Sequence, residues 1–320
     1  MKILITGGAG FIGSHLSEYL LNKDNEVWVI DDLSTGSMKN IEHIENHPKF
    51  HCMIESVLCR SETAKIVDKC DQIYHLAASV GVKVVIEHPL KSLKNNLEGT
   101  EIILELANNK KKKVLFTSSS EVYGKSDNLP FSEEDDRVYG SVYSTRWGYA
   151  FSKSVDEFLC LAYYKENGLP AIVVRLFNTV GYRQTGSYGM VIPRFVQQAL
   201  NNEPITVYGD GKQSRCFTDV SDVVNGLVAL MNSDKAIGQV FNVGSFNEIT
   251  ILDLAKKIIK ITNSSSEINF ISYEDAYGEG FEDMRKRIPD ITKINNTVGY
   301  LPQISLEQII KNVISYHKDT

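Results

Sequence analysis

Long apolar runs are absent from this chain of 320 residues, although a membrane-spanning helix needs about 20 apolar residues in a row. The five cysteines are odd in number and form no CxxC pair, which is typical of reduced thiols in the cytoplasm. Basic residues are not in excess, and the net charge of -6 argues against nucleic acid as the main partner. The apolar stretch 3–5 is too short for a signal peptide. We therefore expect a cytoplasmic protein with neither a membrane nor a nucleic-acid partner.

A complete set of metal ligands is also missing. His43, His47 and His51 recur every four residues, but Pro48 interrupts any helix there. Since no cysteine or carboxylate completes a ligand set with them, we predict no metal site.

The pattern of apolar residues predicts the fold class. In the first part of the chain, short apolar strands alternate with helices, and strands apolar on both faces indicate a parallel sheet covered by helices. The predicted strands are 2–6, 26–31, 50–54, 72–76, 114–118 and 171–176, and the long helices are 91–109 and 149–166. We expect an α/β protein with a Rossmann-type doubly wound parallel sheet.

The last third of the chain is less regular. It contains predicted helices at 191–201, 221–231, 251–261 and 306–316, short strands near 205–208 and 267–271, and a polar loop at 278–287. We assign residues 1–175 to a dinucleotide-binding domain, to which a later segment, about 215–245, returns. Residues 176–320 are assigned mainly to a smaller C-terminal α/β substrate domain.

A glycine-rich turn follows the first predicted strand and opens a helix. Gly7, Gly10 and Gly13 are spaced by three, and side chains there would keep the backbone away from a pyrophosphate. The helix N-terminus adds free N–H groups. Asp31 ends the second strand, where a carboxylate accepts hydrogen bonds from ribose hydroxyls and repels a 2′-phosphate, so NAD is favoured over NADP. The neighbouring Asp32 either shares this role or caps the following turn.

Tyr149 and Lys153 are the predicted catalytic pair, because a spacing of four places both on one face of a helix. A free tyrosine has a pKa of about 10, and a nearby ammonium favours the phenolate that accepts a proton. Lysine also holds the nicotinamide ribose. An earlier strand ends in Ser118, Ser119 and Ser120, at the edge where doubly wound sheets place ligands, and hydroxyls there bind a substrate oxygen.

With these motifs the chain resembles the extended short-chain dehydrogenases/reductases of the nucleotide-sugar epimerase/dehydratase family. The matching segments are Thr6 to Gly13, Asp31 to Gly36, Asn96 to Thr100, Tyr149 to Lys153, Arg175 to Asn178 and Tyr208 to Gly211. The resemblance implies a homodimer that uses NAD and a nucleotide-diphosphate sugar. It also implies that Tyr149 deprotonates the C4 hydroxyl while the C4 hydrogen leaves as hydride.

The resemblance further implies a role for each site residue. The implied cofactor contacts are Gly7, Gly10, Phe11, Ile12, Gly13, Asp31, Asp32, Leu76, Ala77, Ala78, Asn96, Tyr149 and Lys153. The catalytic set is Tyr149, Lys153, Ser119 and Glu121, and Ser119 holds the C4 oxygen. The implied substrate contacts are Ser120, Asn178, Arg183, Arg215 and Arg287, of which Asn178, Arg215 and Arg287 hold the diphosphate.

Glu121 is the residue that bears on the outcome of the reaction. Sugar-nucleotide decarboxylases resemble the chain here, because they carry the same Ser-Ser-Glu motif. Arg146, three residues before the tyrosine, also fits their pattern. Arg183 matches an arginine that they use near the sugar carboxylate. Dehydratases of the GDP-mannose type also carry the glutamate, whereas those of the TDP-glucose type differ at Ser120. The decarboxylases' Asp-Gly-Arg is replaced by Tyr-Gly-Met at 188–190.

These observations leave the fate of the 4-keto sugar open. Epimerase and decarboxylase are equally favoured, and a dehydratase ranks third. A non-catalytic NAD-binding regulator is the rival class, and it would be expected to have lost part of the Tyr, Lys and Ser set. The sequence predicts neither the base nor the sugar.

Overall fold

A parallel sheet of seven strands forms the centre of the computed structural model, which describes residues 1–186, 190–277 and 283–319. Together with the short strands outside this sheet, the strands of the described residues are β1 (Lys2–Thr6), β2 (Glu26–Asp31), β3 (Phe50–Ile54), β4 (Gln72–His75), β5 (Lys113–Ser119), β6 (Ala171–Leu176), β7 (Thr179–Val180), β8 (Ile205–Tyr208), β9 (Ser214–Cys216), β10 (Thr218–Asp219), β11 (Val240–Val243), β12 (Glu248–Thr250) and β13 (Ile268–Ile271). The helices are α1 (Phe11–Asn22), α2 (Arg60–Lys69), α3 (Val82–Glu87), α4 (Pro89–Asn108), α5 (Arg146–Asn167), α6 (Val191–Leu200), α7 (Val220–Met231), α8 (Ile251–Thr262), α9 (Tyr273–Tyr277), α10 (Thr292–Val298) and α11 (Leu306–Asp319).

The strand order of the central sheet is β11-β6-β5-β4-β1-β2-β3, and neighbouring strands run parallel. The chain therefore moves outward in one direction from β1 to β3 and in the other from β4 to β6. Such a reversal opens a crevice at the carboxyl ends of the two strands that flank it, here β1 and β4. The order confirms the predicted doubly wound sheet. β11, a strand that the sequence pattern did not predict, pairs with β6 and extends the sheet.

Successive residues of a central strand pack into two different hydrophobic cores, one on each face of the sheet. Ile3 and Ile5 of β1 pack with residues of α1 and α7, whereas Leu4 packs with residues of α2, α4 and α5. Because successive side chains of a strand point to opposite faces, both faces of the sheet must be apolar. This is why the strands read as nearly continuous apolar runs.

A smaller lobe lies C-terminal to β6. It contains the parallel pair β8 and β13 and the antiparallel pair β9 and β12. Its core is formed by the apolar faces of α6, α8 and α11 together with the two inward residues of β8, Ile205 and Val207. In the described ranges no helix is long and apolar enough to cross a membrane.

Candidate active site

The glycine-rich turn between β1 and α1 is shaped by close backbone contacts. Gly7 has a φ of +72°, and a Cβ added there would lie 2.9 Å from the backbone nitrogen of Ala77. A Cβ on Gly13 would lie 2.2 Å from the carbonyl oxygen of Gly7. Gly10 is the N-cap of α1 and provides no side-chain cap, so the N–H groups of the first turn face the cleft. This cradle fits the pyrophosphate of NAD.

Asp31 ties this turn to the end of β2. Its carboxylate accepts hydrogen bonds from the backbone nitrogens of Ala9 and Leu33, at 2.9 and 2.8 Å. Burial raises the pKa of Asp31, while these two hydrogen bonds oppose that shift. Asp32 accepts a hydrogen bond from the nitrogen of Ser34, which is the turn-capping role given as its alternative. Asp31 is therefore the carboxylate built into the cofactor turn.

A single cleft of about 860 Å³ runs along the carboxyl edge of the sheet and is lined by both the glycine turn and the predicted catalytic residues. Leu76, Ala77 and Ala78 line it as predicted. Asn96 instead lies buried behind the wall, where its side chain accepts from the nitrogen of Ser79 and donates to the Ser152 hydroxyl. Its placement is that of a residue supporting the cleft wall.

Tyr149 and Ser119 both line the cleft, and the Lys153 ammonium donates to the carbonyl oxygen of Thr117 at 3.0 Å. The structure thus brings these three predicted catalytic residues to the end of β5, and the fourth, Glu121, lies in the turn that follows. Burial, and next the charge of Glu121, raise the pKa of Tyr149, whereas the nearby Ser119 hydroxyl lowers it. Burial lowers the pKa of Lys153. Ionisation of Tyr149 therefore requires additional positive charge beside its ring.

Next to Tyr149 lies a group of five charged side chains, which we call the arginine cluster: Glu121, Asp283, Arg146, Arg215 and Arg287. Glu121 pairs with Arg146 at 3.1 Å and with Arg287 at 2.7 Å. Asp283 pairs with Arg146 at 3.0 Å and with Arg215 at 2.9 Å. The five residues come from the 3-10 turn after β5, the start of α5, strand β9 and the segment after residue 282. All five line the cleft.

The electrostatics of the arginine cluster keep both carboxylates ionised. Burial alone would raise the pKa of Glu121, but Arg146 and Arg287 outweigh it and hold this pKa below its usual value. The pKa of Asp283 is likewise low, because the arginines outweigh its burial. With three guanidinium groups and two carboxylates, the arginine cluster carries a net charge of about +1. It is therefore prepared to accept one further anion.

Some predicted substrate residues lie outside the arginine cluster. Arg183 lines the cleft, but its guanidinium pairs with Glu18 of α1 at 2.6 Å and approaches His43 at 3.1 Å. Asn178 donates a hydrogen bond to the Cys216 carbonyl at 3.0 Å. Ser120 is buried in the same 3-10 turn as Glu121 and lines the cleft. Of the two departures from the decarboxylases' Asp-Gly-Arg, Tyr188 lies outside the described residues, as do residues 278–282 of the predicted polar loop, whereas Met190 precedes α6 and lines the cleft.

Two residues of the site were missed by the sequence analysis. Asp283 belongs to the segment interpreted only as a polar loop, and Tyr273 donates a hydrogen bond to its carboxylate at 3.0 Å. The one available signal was that two acidic residues, 282 and 283, are followed by three basic ones, 285–287, which is as typical of an exposed loop as of a site.

Comparisons with known proteins match the whole length of the chain. A family model described as GDP-mannose 4,6 dehydratase matches residues 4–313. A UDP-N-acetyl-alpha-D-glucosaminuronate decarboxylase of Bacillus cytotoxicus is 42% identical over 99% of this chain and 98% of that protein. A UDP-glucuronic acid decarboxylase 1 of Xenopus tropicalis is 39% identical over 99% of this chain and 72% of that protein. The solved structure of UDP-glucuronic acid 4-epimerase from Bacillus cereus, in complex with UDP-glucuronic acid and NAD, matches at 32% identity with a TM-score of 0.90, covering 100% of this chain and 99% of that one.

Proposed function

This chain belongs to the GDP-mannose 4,6-dehydratase family of NAD-dependent nucleotide-sugar enzymes, and we propose that within it the protein decarboxylates a UDP-sugar that carries a carboxylate at C6. Membership confirms the predicted enzyme class, the NAD dependence and the nucleotide-sugar substrate class. The observation that carries the finer proposal is the arginine cluster, which holds a net positive charge beside the catalytic tyrosine.

The first step is oxidation at C4. Tyr149 takes the proton of the C4 hydroxyl, and Ser119, which lines the cleft beside it, binds the same oxygen. NAD held by the glycine turn would supply the hydride acceptor and would add positive charge near the tyrosine. Lys153, held by the Thr117 carbonyl, keeps a second positive charge behind Tyr149.

The second step follows from the chemistry of the oxidised sugar. A 4-keto sugar with a C6 carboxylate is a β-keto acid. Its C5–C6 bond breaks to release CO2, and the electron pair of that bond forms an enolate whose charge rests on the C4 oxygen. The hydroxyls of Tyr149 and Ser119 stabilise this oxygen as they did in the first step. A proton from solvent water then adds to C5, hydride adds back to C4, and Tyr149 returns its proton to the C4 oxygen.

Two arginines of the arginine cluster, Arg146 and Arg287, recognise the C6 carboxylate in this proposal; both pair with Glu121. Guanidinium groups bind carboxylates and phosphates through paired hydrogen bonds, so an incoming anion finds donors already aligned. Glu121 and Asp283 fix these donors in place. Because Glu121 is ionised in this arrangement, it orients the arginines and is not the proton donor. We assign the diphosphate to Arg215 and Asn178, within the mainly substrate-binding part 176–320.

A 4-epimerase acting on the same uronate is the second candidate. Its support is the likeness to the Bacillus cereus epimerase over the full length of the chain. Both enzymes would need the same C4 oxidation, and they differ only in whether the C5–C6 bond survives. The proposed function therefore has to be tested by the fate of C6.

The test is incubation with NAD and either UDP-glucuronate or UDP-N-acetylglucosaminuronate, followed by measurement of CO2 and by NMR of the product. Release of CO2 with formation of a UDP-pentose supports the proposal. A C4-inverted uronate that retains C6 would establish the epimerase instead. Absence of turnover on both uronates, from protein that binds NAD, would reject both candidates.

A pair of arginine variants tests the arginine cluster itself. Arg287→Gln removes a guanidinium 2.7 Å from Glu121 and is expected to lower kcat/KM for the uronate at least about 100-fold. Arg285→Gln is the matched control, since Arg285 is exposed and pairs with Asp210. Equal losses in both variants would contradict the assignment.

We also propose a cytoplasmic homodimer that pairs the exposed apolar face of α4 and α5. These helices pack against each other and leave Leu90, Phe151 and Phe158 exposed at 68%, 58% and 66%. Such a row of large apolar side chains is typical of an interface. Phe158→Glu should give a monomer in sedimentation, whereas Phe246→Glu, on a loop of the smaller lobe, should not. The five free cysteines support a reducing compartment.

A further inference from the structure

Behind the catalytic lysine lies a carboxylate to which the mechanism above gives no role. Asp156 is fully buried in α5, three residues after Lys153 and seven after Tyr149. These spacings place the three side chains along one face of the helix. Neither carboxylate oxygen of Asp156 makes a hydrogen bond of ordinary geometry to any residue within the described ranges. A buried carboxylate in this condition is costly to the fold unless another charge compensates it.

The compensating charge is that of Lys153. On α5, Asp156 faces Lys153, Glu157 and Cys160, and on α4 it faces Thr100. Burial has the largest influence and raises the pKa of Asp156; Lys153 and then the Thr100 hydroxyl oppose this shift, whereas Glu157 adds to it.

Glu157 is already matched by two other cations. Its carboxylate pairs with Arg175 at 2.8 Å and with Arg137 at 2.5 Å. In the other direction, Asp156 is the strongest of the groups that favour the charged form of Lys153 against burial. Lys153 itself donates only to a neutral carbonyl oxygen in the hydrogen bond at 3.0 Å described above. Asp156 and Lys153 are thus each other's main counter-charge.

Asp156 also lies next to a series of buried polar side chains, Thr100, His75 and Thr6, that ends at Ala77 in the wall of the cleft. Thr100 is hydrogen-bonded to His75 at 3.2 Å, and His75 to Thr6 at 2.7 Å. The Thr6 hydroxyl accepts from the backbone nitrogen of Ala77 at 3.1 Å. Burial lowers the pKa of His75 to about 3, so this series carries no positive charge of its own. Lys153 remains the cation that Asp156 serves.

We propose that Asp156 is a positioning residue for C4 oxidation: a buried carboxylate that keeps Lys153 protonated and fixed behind Tyr149. The proposal rests on the chemistry that Tyr149 and Lys153 share with the family. It holds whether the 4-keto sugar is then decarboxylated or re-reduced.

Asp156→Asn tests this proposal because it removes the charge with little change in shape. Asp156 raises the pKa of both Lys153 and Tyr149, so its loss should lower both. We expect the alkaline limb of the pH profile of kcat to move by roughly one unit to lower pH, with kcat at its plateau within about threefold of the original. Asp156→Glu keeps the charge and should return the alkaline limb of this pH profile to its original position.

A second readout needs neither substrate nor turnover. The ultraviolet titration of Tyr149, isolated as the difference between each protein and its Tyr149→Phe counterpart, should move to lower pH in Asp156→Asn. Because no sugar is present, failure of the uronate assays leaves this result intact. Asp222→Asn, which removes a buried carboxylate from α7, is the matched control and should leave the titration in place.

The proposal is overturned if Asp156→Asn changes neither the alkaline limb of the pH profile of kcat nor the ultraviolet titration of Tyr149. This holds even when kcat falls, because a packing role of Asp156 would then be sufficient to explain the loss. Asp156→Ser provides a second neutral variant, to which the same expectations apply if the asparagine protein does not fold.

Discussion

Replacing Asp156 by asparagine is expected to stabilise the fold above neutral pH. Burial raises the pKa of this carboxyl from the ordinary 3.8 to about 7. An acid whose pKa is higher in the folded than in the unfolded protein destabilises the fold increasingly as the pH rises between these two values. The destabilisation is absent below about pH 4, grows up to about pH 7 and is constant above it. Asparagine carries no charge at any of these pH values and avoids it.

The size of the effect follows from the same two pKa values. A difference of about 3 units, at 1.36 kcal/mol each, sets an upper limit of about 4 kcal/mol at pH 8. Part of this gain is lost again, because the variant deprives the buried Lys153 of its main counter-charge. We therefore expect a net gain of about 2 kcal/mol at pH 8. In a chain of this length that corresponds to a rise in Tm of roughly 3 °C.

The assay is urea unfolding of both proteins at pH 4 and at pH 8, followed by circular dichroism. The free energy of unfolding of Asp156→Asn should exceed that of the original protein at pH 8 and approach it at pH 4. If the difference is the same at both pH values, the carboxylate does not titrate across this range. If the original protein is the more stable one at pH 8, the attraction between the charges of Asp156 and Lys153 outweighs burial, and the reasoning is refuted.

Three further predictions concern the cofactor turn, the base and the core. Gly13→Ala should abolish NAD binding in calorimetry, because its Cβ would lie 2.2 Å from the Gly7 oxygen; unchanged affinity would show that the turn relaxes. Tyr149→Phe should lower kcat about 1,000-fold while NAD affinity stays the same, and substantial turnover would assign the base elsewhere. Glu157→Gln should lower the free energy of unfolding by about 3 kcal/mol or more in urea, because Arg175 would lose its buried charge partner; a smaller loss would mean that water reaches it.

The strands and helices that bury apolar faces were predictable from the sequence. β3 and β6 have the predicted bounds, since apolar residues predominate in both segments. β11 was not predicted, because Val-Phe-Asn-Val is too short to show a period and its place is set by pairing with β6. Local signals also predicted the cofactor turn, because its glycines, the strand before it and the helix after it are neighbours in the chain.

The arginine cluster could not be predicted in the same way. Glu121 and Arg146 are 25 residues apart, and Arg215 and Asp283 are 68 apart, so no spacing rule connects them. Their contacts exist only after the smaller lobe has folded against the carboxyl edge of the sheet. Arg183 is a different case: its motif suggested the sugar carboxylate, and in the fold its guanidinium lines the cleft and pairs with Glu18 of α1.

The charge of the arginine cluster connects the fold with the choice of substrate. Among the described residues its three guanidinium groups face two carboxylates, Glu121 and Asp283, and we assign one of the three, Arg215, to the diphosphate. The other two, Arg146 and Arg287, pair with Glu121 beside Tyr149. A neutral C6 hydroxyl gains little from two guanidinium groups, whereas the carboxylate of a uronate is bound by them through paired hydrogen bonds. Tyr149 and Lys153 therefore determine that the sugar is oxidised, and the two arginines beside them favour a sugar that can then lose CO2.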